Sequence, residues 1–269
     1  MDKRRPIEPN AALARALSKL GFCSRHQAWD LIKGGRVRVN GVVLRDPETR
    51  IALDGDRIEV DGQRVRGAEK IYLMLNKPRG LITTVSDEQG RATVFECFSD
   101  GTKGRQVAEA ESVQSGARSF PRVFPVGRLD KASEGLLLFT NDTAWANRIS
   151  APEGGIEKTY HVQVNCLADG GLARRIREGI MDGGDLLAAK RVHALRHGAK
   201  NSWLEVVLDE GKNRHIRRLL AALGVNVVRL VRVAVGPLQL GSLAKGQWRH
   251  LAQSEVSALA VVQTGESVG

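Results

Sequence analysis

The stretch VGRLDKASEGLLLFTND, residues 126–142, joins a charged turn to an apolar strand. Residues 136–139 are apolar without interruption, which is typical of a central strand covered on both faces. Asp130 precedes this run and lies between Arg128 and Lys131. Asp130 is either a structural ion-pair partner at the surface or a charge used in chemistry. Because the turn leads directly into a buried strand, we expect Asp130 to lie at the mouth of a sheet.

Other segments of the same half of the chain have the patterns of sheet strands. Four of them are predicted to be strands: residues 71–80, 157–164, 202–211 and 225–236. In EKTYHVQV, Tyr160 and Val162 face one side of the strand and His161 faces the other, since side chains alternate along a strand. Tyr160 is therefore either a core tyrosine with a satisfied hydroxyl or a side chain that faces a binding site.

The segment KNRHIRRLLAALG, residues 212–224, predicts an amphipathic helix. Its apolar stripe has i, i+3, i+4, i+7 spacing and consists of Ile216, Leu219, Leu220 and Leu223. Arg214 and Arg218 fall on the opposite face, whereas Arg217 falls at the border. A partly buried guanidinium needs a carboxylate, so we expect Arg217 to meet an acid. A phosphate contact or a solvated helix face is the alternative for Arg217.

Residues 11–66 form a module of their own. Leu13 and Leu17 have helical spacing, and Ser24 with Gln27 predicts a capping box at the start of a second helix. Two hairpin turns follow, at Asn40-Gly41 and at residues 61–62, which completes a compact ααβ unit. Between residues 11 and 45 there are seven basic residues and one acid. They form either a solvated surface or, as we favour, a face that binds phosphates.

Composition restricts the classes of partner. The chain has 269 residues, a net charge of +11 and a pI near 10.0, which favours a polyanionic partner, usually nucleic acid. No apolar run approaches the roughly 18 residues that span a bilayer, and we expect no membrane association. The three cysteines are far apart in sequence and indicate reduced thiols in a cytoplasmic protein.

The common cofactor motifs are absent from the sequence. There is no GxxxxGK[ST], GxGxxG, HExxH or GxSxG pattern, so we expect no nucleotide cofactor, no metal and no serine nucleophile. His193 and His197 stand four residues apart, but without further ligands they are predicted to be surface histidines. Residues 99–121 are small, polar and without period, which predicts a flexible insertion.

Two sets of motifs resemble known families. SRHQAWDLIKGGRVRVNG and GDRIEV resemble the S4 RNA-binding domain. Behind them NKPRGLITT, GRLDKASEGLLLFTND, EKTYHVQV and EGKNRHIRRLL, in that order, resemble the RsuA/RluB family of ribosomal RNA pseudouridine synthases. The resemblance implies an α+β fold: a small S4-like domain at 11–66, then a synthase domain at 70–254 built on a mixed, mainly antiparallel sheet flanked by helices.

The resemblance also assigns roles to residues. Asp130 matches the family's catalytic aspartate, Tyr160 the aromatic that stacks on the target base, and Arg217 the basic residue that pairs with the aspartate. His215 departs from the family, which commonly has Gln or Glu there, and the insertion at 99–121 enlarges the loop before GRLD. The basic residues predicted to contact RNA are Arg25, Lys33, Arg36, Arg38, Lys77, Arg128, Lys131, Lys158, Lys212, Arg214 and Arg218.

The implied reaction is the isomerisation of uridine to pseudouridine in ribosomal RNA, which requires no cofactor. Asp130 acts either as a nucleophile or as a base, and the sequence leaves both open. The implied partner is a ribosomal subunit precursor, more in keeping with the large subunit than the small one, and we expect a monomer. The alternative function is that of a non-catalytic RNA-binding factor of ribosome assembly on the same scaffold.

Overall fold

The computed structural model describes residues 11–53, 55–67, 69–85, 87–99, 123–151 and 155–261. The chain divides into two compact units: an N-terminal module, residues 1–70 with 141–143, and a larger unit, residues 71–140 with 144–269. The insertion predicted at 99–121 lies outside the described residues except for its first residue. Within the described ranges, no helix combines the length and the apolar character that crossing a membrane requires.

The N-terminal module packs two helices against short antiparallel strands. Its elements are β1 (Ala11–Ala12), α1 (Leu13–Lys19), α2 (Arg25–Lys33), β2 (Val37–Val39), β3 (Val42–Val43), β4 (Arg50–Ile51), β5 (Ile58–Val60) and β6 (Gln63–Arg64). Four strands form a sheet in the order β3-β2-β5-β6, and β1 pairs with β4. Leu13, Leu17 and Ile32 are fully buried in the core of this module, as their helical spacing predicts.

The local signals of the module produce the predicted geometry. The Ser24 amide donates to Gln27 Oε1 at 3.1 Å, and the Gln27 amide donates to Ser24 Oγ at 3.2 Å, which confirms the capping box. Asn40 and Asp61 both have φ of 51°, and a glycine with positive φ follows each of them. Two consecutive positive-φ residues are the requirement of a tight hairpin turn, so both predicted hairpins are confirmed.

The larger unit is built on one mixed sheet. Its strands are β7 (Tyr72–Lys77), β8 (Phe124–Val126), β9 (Glu134–Thr140), β10 (Lys158–Val164), β11 (Ile180–Asp182), β12 (Asp185–Leu187), β13 (Arg191–His197), β14 (Ser202–Leu208), β15 (Val227–Val235), β16 (Leu238–Gln239) and β17 (Trp248–His250). Its helices are α3 (Glu96–Ser99), α4 (Thr143–Ser150), α5 (Gly170–Glu178), α6 (His215–Ala222) and α7 (Gln253–Val261).

The main sheet has the order β13-β14-β10-β15-β9-β7-β17, with β16 beside β15 and β8 beside β9. Among the described strands of this sheet, only β9 and β15 pair in parallel. β11 and β12 form a separate hairpin. The sheet is therefore mixed and mainly antiparallel, and the predicted α+β class is confirmed.

Strand β9 is buried at every position. Leu136 and Leu138 belong to a core cluster with residues of α4 and α7, whereas Leu137 and Phe139 pack with Phe98 of α3 in another cluster. This burial on both faces is what the uninterrupted apolar run predicts. The burial of β9 holds the start of the strand in place, and it therefore also positions the preceding turn, which carries Asp130.

Some elements differ from the prediction. The helix predicted over 212–224 begins only at His215, because Arg214 before it has a left-handed backbone with φ of 50°. Helix α5 and the β11–β12 hairpin were not predicted. Helix α7 continues to residue 261 and its Leu259 is fully buried, so folded structure extends past residue 254.

Candidate active site

The start of β9 lies unusually close to β15. In this parallel contact Arg232 of β15 is opposite Gly135, which has φ of 101°. A Cβ atom at position 135 would lie 2.2 Å from the carbonyl oxygen of Arg232. Glycine is required here because any side chain would separate the two strands. The turn before β9 is thereby placed beside the strand that follows helix α6.

Residues 127–133 form the loop between β8 and β9, and a buried lysine holds it. Lys77 Nζ donates to the carbonyl oxygens of Asp130 at 3.2 Å and Ser133 at 2.9 Å, and also to that of Pro78 at 3.1 Å. Thr83 Oγ1 donates to the carbonyl of Leu129 at 2.8 Å. The backbone on both sides of the Asp130 side chain is therefore fixed by side-chain donors.

Lys77 does not have the role that the sequence predicts. It was predicted to contact RNA, but its side chain is fully buried at the end of β7. Burial lowers the pKa of Lys77 to about 8, and the charges of Cys97, Asp130 and Glu134 act in the opposite direction. A lysine with no exposed surface cannot reach a phosphate, and its role in this fold is to anchor the loop.

Arg217 lies on helix α6 and reaches the same loop. Its Nη2 donates to the carbonyl of Ala132 at 3.1 Å, and its Nη1 is 3.5 Å from the carbonyl of Val227. Burial lowers the pKa of Arg217, and the Asp130 carboxylate opposes this shift. In the described part of the chain no direct hydrogen bond joins Arg217 to Asp130. The expected pairing is thus a through-space attraction, with the guanidinium bound to the loop backbone.

Tyr160 lies in the middle of β10. It is partly buried and packs at the edge of two core clusters, one with α5 and α6 and one with β7 and β9. The predicted alternation is confirmed. Val162 is fully buried on the same face as Tyr160, whereas on the other face His161 Nε2 lies 3.6 Å from Glu205 Oε2. Tyr160 thereby faces the side of the sheet on which α6 lies.

These three residues line one cavity of about 400 Å³. Asp130 enters it from the loop before β9, Tyr160 from β10 and Arg217 from α6. Ligand pockets for small molecules begin at about 300 Å³, so the space suits a single nucleotide unit. Part of the remaining wall is apolar and includes Leu138 and Leu230.

The cavity wall is also basic. Lys158 and Arg232 line it, together with Arg128, Lys212 and Arg214. Burial lowers the pKa of Lys158, and the neighbouring charge of Arg232 acts in the same direction. A cavity in which these cations outnumber the two carboxylates, Asp130 and Glu210, attracts an anionic ligand.

Three residues predicted to contact RNA are engaged within the protein. Arg218 Nε donates to Asp182 Oδ2 at 2.6 Å, and its Nη1 donates to Asp185 Oδ2 at 3.0 Å. Arg36 binds Asp61 through two hydrogen bonds, and Lys212 forms an ion pair with Glu210. Because intraprotein carboxylates already neutralise these cations, they are weaker candidates for phosphate contacts than the sequence suggests.

The other predicted RNA contacts keep their charge available. In the described ranges no ion-pair partner is found for six exposed cations: Arg25, Lys33, Arg38, Arg128, Lys131 and Arg214. Three of them belong to the N-terminal module and three to the larger unit, where Arg128 and Arg214 line the cavity. Their role in RNA binding stays a prediction.

His215, at the start of α6, is almost fully buried in the wall of the cavity. Neither ring nitrogen has a hydrogen-bond partner among the described residues, and burial lowers the pKa of His215. The side chain therefore makes no hydrogen bond to Arg217. No group of three or more His, Cys, Asp or Glu side chains that could hold a metal occurs in the described segments.

Several residues that shape the site were missed in the sequence. Arg232 is buried and its Nε donates to the carbonyl of Leu136 at 2.7 Å. Glu134 is bound by Arg229 and Lys245, which lowers its pKa despite burial. Gly135, which begins the apolar run, is a sequence signal that two strands approach each other closely. No nearby residue in the sequence indicates the ion pairs of Glu134.

Comparisons with known proteins agree with this architecture. The family RNA pseudouridylate synthase matches residues 71–222, more than half of the chain, and the S4 domain matches residues 13–58. A solved structure described as "Crystal structure of pseudouridylate synthase" is similar with a TM-score of 0.59 and 28% identity, covering 92% of this chain and 98% of that chain.

Two relatives span nearly the whole chain. A protein of Aquifex aeolicus (strain VF5), described as an uncharacterized RNA pseudouridine synthase, is 37% identical over 244 residues, which cover 90% of this chain and 91% of the relative. The ribosomal large subunit pseudouridine synthase B of Bacillus subtilis (strain 168) is 34% identical over 250 residues, 92% of this chain and 94% of the relative. With its S4 domain, its mixed sheet and its basic cavity, the chain therefore belongs to the RsuA/RluB family of RNA pseudouridine synthases.

Proposed function

We propose that this pseudouridine synthase acts on a uridine of large-subunit ribosomal RNA and that Asp130 is its catalytic carboxylate. One observation carries the assignment of the site. Asp130, Tyr160 and Arg217 come from three segments far apart in sequence and line the same cavity of about 400 Å³. The family resemblance named these three residues from their motifs, and the fold brings them together.

The reaction begins with extrusion of the target nucleotide. A stacked uridine cannot reach a cavity of this kind, so it must flip out of the RNA at a cost of a few kcal/mol. Stacking of the base on the ring of Tyr160 recovers about 1–3 kcal/mol of this cost. The apolar wall formed by Leu138 and Leu230 excludes water from the flipped base.

Asp130 acts on the flipped nucleotide in its ionised form. The N1–C1′ bond breaks, the base rotates, and C5 forms a bond to C1′. C5 then loses its proton and N1 takes one up, so the composition of the RNA does not change. Two routes use the carboxylate: attack as a nucleophile on the sugar or base, and removal of a sugar proton as a base. In both routes the loop must hold the carboxylate still, which the donors from Lys77 and Thr83 to its backbone achieve.

The cations around the carboxylate have separate tasks. Arg217 attracts Asp130 through space and binds the carbonyl of Ala132, so it keeps the charge in place. Arg128, Lys131 and Arg214 are exposed near the cavity and are suited to the phosphates on either side of the flipped nucleotide. The S4 domain adds affinity that falls with salt concentration.

The large-subunit assignment rests on the Bacillus subtilis relative, which is named for that subunit. We also propose that the substrate is a subunit precursor, because the uridine must be accessible for extrusion. We further propose that the protein is a monomer and acts in the cytoplasm.

Affinity purification of the protein from growing cells, followed by sequencing of the bound RNA, would test the substrate. Recovery of small-subunit RNA alone would contradict the assignment.

The activity is tested by tritium release. Large-subunit and small-subunit RNA of the source organism are transcribed separately with uridine tritiated at C5 and incubated with the protein. We expect tritium to be released from the large-subunit RNA, because the C5 proton is lost when the C5–C1′ bond forms. Release from small-subunit RNA alone would overturn the choice of subunit, and no release from either RNA would overturn ribosomal RNA as the substrate.

A further inference from the structure

Helix α2 of the N-terminal module exposes an aromatic side chain between two cations. Arg25, Trp29 and Lys33 are spaced by four residues and so share one face of the helix, while Ala28 and Ile32 are buried on the neighbouring face. Trp29 is 44% exposed, and the flanking Arg25 and Lys33 are exposed as well. This basic and aromatic face is not needed for the core of the module.

Trp29 is contacted at its ring by a cation of its own helix and keeps 44% of its surface exposed. Lys33 Nζ lies 5.7 Å from the ring centroid, within the range of a cation–π contact. Such a contact at an exposed site favours a limited set of rotamers, and the exposed part of the indole is available to a ligand. A flat aromatic surface of this kind, next to positive charges, matches a nucleic-acid base whose phosphates lie on either side.

The charge around the helix identifies the class of ligand. Residues 11–45 contain seven basic residues and one acid, so the surface complements a polyanion. Contacts to phosphates alone would use the cations and would leave the indole without a function. A base stacks on a side chain only when its face is free, which is the case in single strands and loops and not inside a duplex.

We propose that Trp29 stacks on an unpaired base of the RNA, with Arg25 and Lys33 at the neighbouring phosphates. The S4 domain then selects a single-stranded or looped segment in addition to supplying charge. This inference rests on the proposed function in one respect, namely that the ligand is RNA. It concerns a site remote in sequence from Asp130, and its test does not depend on turnover.

The test uses the full-length protein and two RNA probes, a short oligouridylate and a blunt-ended RNA duplex of the same length. We expect Trp29→Leu to weaken binding of the oligouridylate at least about fivefold, since a stacked base contributes about 1–3 kcal/mol. Binding of the duplex should not change. Trp29→Phe should retain most of the affinity for the single strand, because it keeps an aromatic face.

Salt dependence separates stacking from charge. Trp29→Leu should leave the slope of log affinity against log salt concentration unchanged, whereas Lys33→Gln should reduce its magnitude by about 0.7 for a single strand. Val42→Ala is the matched control, because Val42 is another exposed apolar residue of the module, 62% exposed on β3. We expect this variant to bind both probes as the wild type does.

Three results would overturn the inference. An unchanged affinity of Trp29→Leu for both probes would assign the indole to a protein contact instead. An equal loss for single strand and duplex would indicate a general effect on the module, and so would a loss in Trp29→Phe as large as in Trp29→Leu. A failure of tritium release by the wild type would remove the proposed function and leave these binding comparisons valid.

Discussion

Among the described residues, the larger unit buries or half-buries several arginines and lysines beside its exposed ones, whereas those of the N-terminal module are mostly exposed. In the larger unit Lys77, Arg217 and Arg232 are buried or half-buried, and their donors bind main-chain carbonyl oxygens. In the N-terminal module Arg25 and Arg38 are exposed and have no ion-pair partner among the described residues. Burying a cation is costly unless its donors bind acceptors, so the hydrogen bonds that each of these cations makes to carbonyl oxygens hold the backbone in place. An exposed cation is free to exchange water for phosphate.

This contrast assigns catalysis and affinity to different sets of cations. Replacing a buried cation should alter the geometry around Asp130 and therefore the rate of the chemical step. Replacing an exposed cation should alter binding and its salt dependence.

Lys77→Met should reduce kcat by about 100-fold or more, because a displacement of about 1 Å in a catalytic group has an effect of this size. Methionine fills similar space and removes the donors to the carbonyls of Asp130 and Ser133. Lys131→Met, on the same loop but exposed, is the control and should affect KM rather than kcat. Multiple-turnover tritium release at varied RNA concentrations measures both. Equal kcat values for the two variants would contradict the anchoring role.

Lys77 should also give the protein a stability that depends on pH. Its pKa is about 8 in the fold and near 10.5 when unfolded, so between these values the unfolded chain binds more protons. The cost of burying the charged form is fully present below pH 8 and is relieved as pH rises through that value. We therefore expect the unfolding free energy of the wild type, relative to Lys77→Met, to rise by about 1–3 kcal/mol between pH 8 and 10.5.

Denaturant unfolding of both proteins across this range measures the difference and cancels the titration of other groups. A difference that is flat with pH would show that Lys77 is not buried as a charged group.

Arg217→Lys should lower kcat by about 10- to 100-fold. A lysine keeps the charge, but its single ammonium cannot replace the planar guanidinium that reaches Ala132 and Val227. Arg218→Lys is the matched control, since Arg218 is the next residue of the same helix and binds Asp182 and Asp185. If the control loses as much activity as Arg217→Lys, the distinction between the two arginines is wrong.

The double variant Arg25→Gln, Arg38→Gln should raise KM and weaken RNA binding by about threefold to tenfold near physiological salt. Arg36→Gln is the comparison, because Arg36 is already bound to Asp61 and should matter less. Titrations at several salt concentrations measure the effect. An effect of Arg36→Gln as large as that of the double variant would show that the ion pair opens to bind RNA.

The sequence predicted best where a signal is local. The capping box of Ser24, the hairpin turns at Asn40 and Asp61, and the buried run that follows Asp130 depend on neighbours within a few residues, and all are found in the structure. Tyr160 faces the helix side of its sheet because strand alternation is a local property. The exact domain limits stay a prediction.

The sequence could not show which cations are neutralised or buried. Arg218 meets Asp182 and Asp185 only because the β11–β12 hairpin, which was not predicted, lies beside α6. Lys77 ends a strand next to a proline, a position typical of a surface turn, and its burial depends on a loop more than fifty residues away in sequence. Such pairings result from tertiary packing, and composition alone makes every cation a candidate for RNA binding.

We propose that Asp130 performs the chemistry while other residues bind the RNA. The most direct test is Asp130→Asn, an isosteric change that removes the charge and replaces one acceptor oxygen by an amide donor. On one RNA we would measure the dissociation constant and single-turnover tritium release for the wild type and the variant. We expect the variant to bind the RNA with an affinity close to that of the wild type and to release no detectable tritium. Release at a rate near that of the wild type would contradict the proposal.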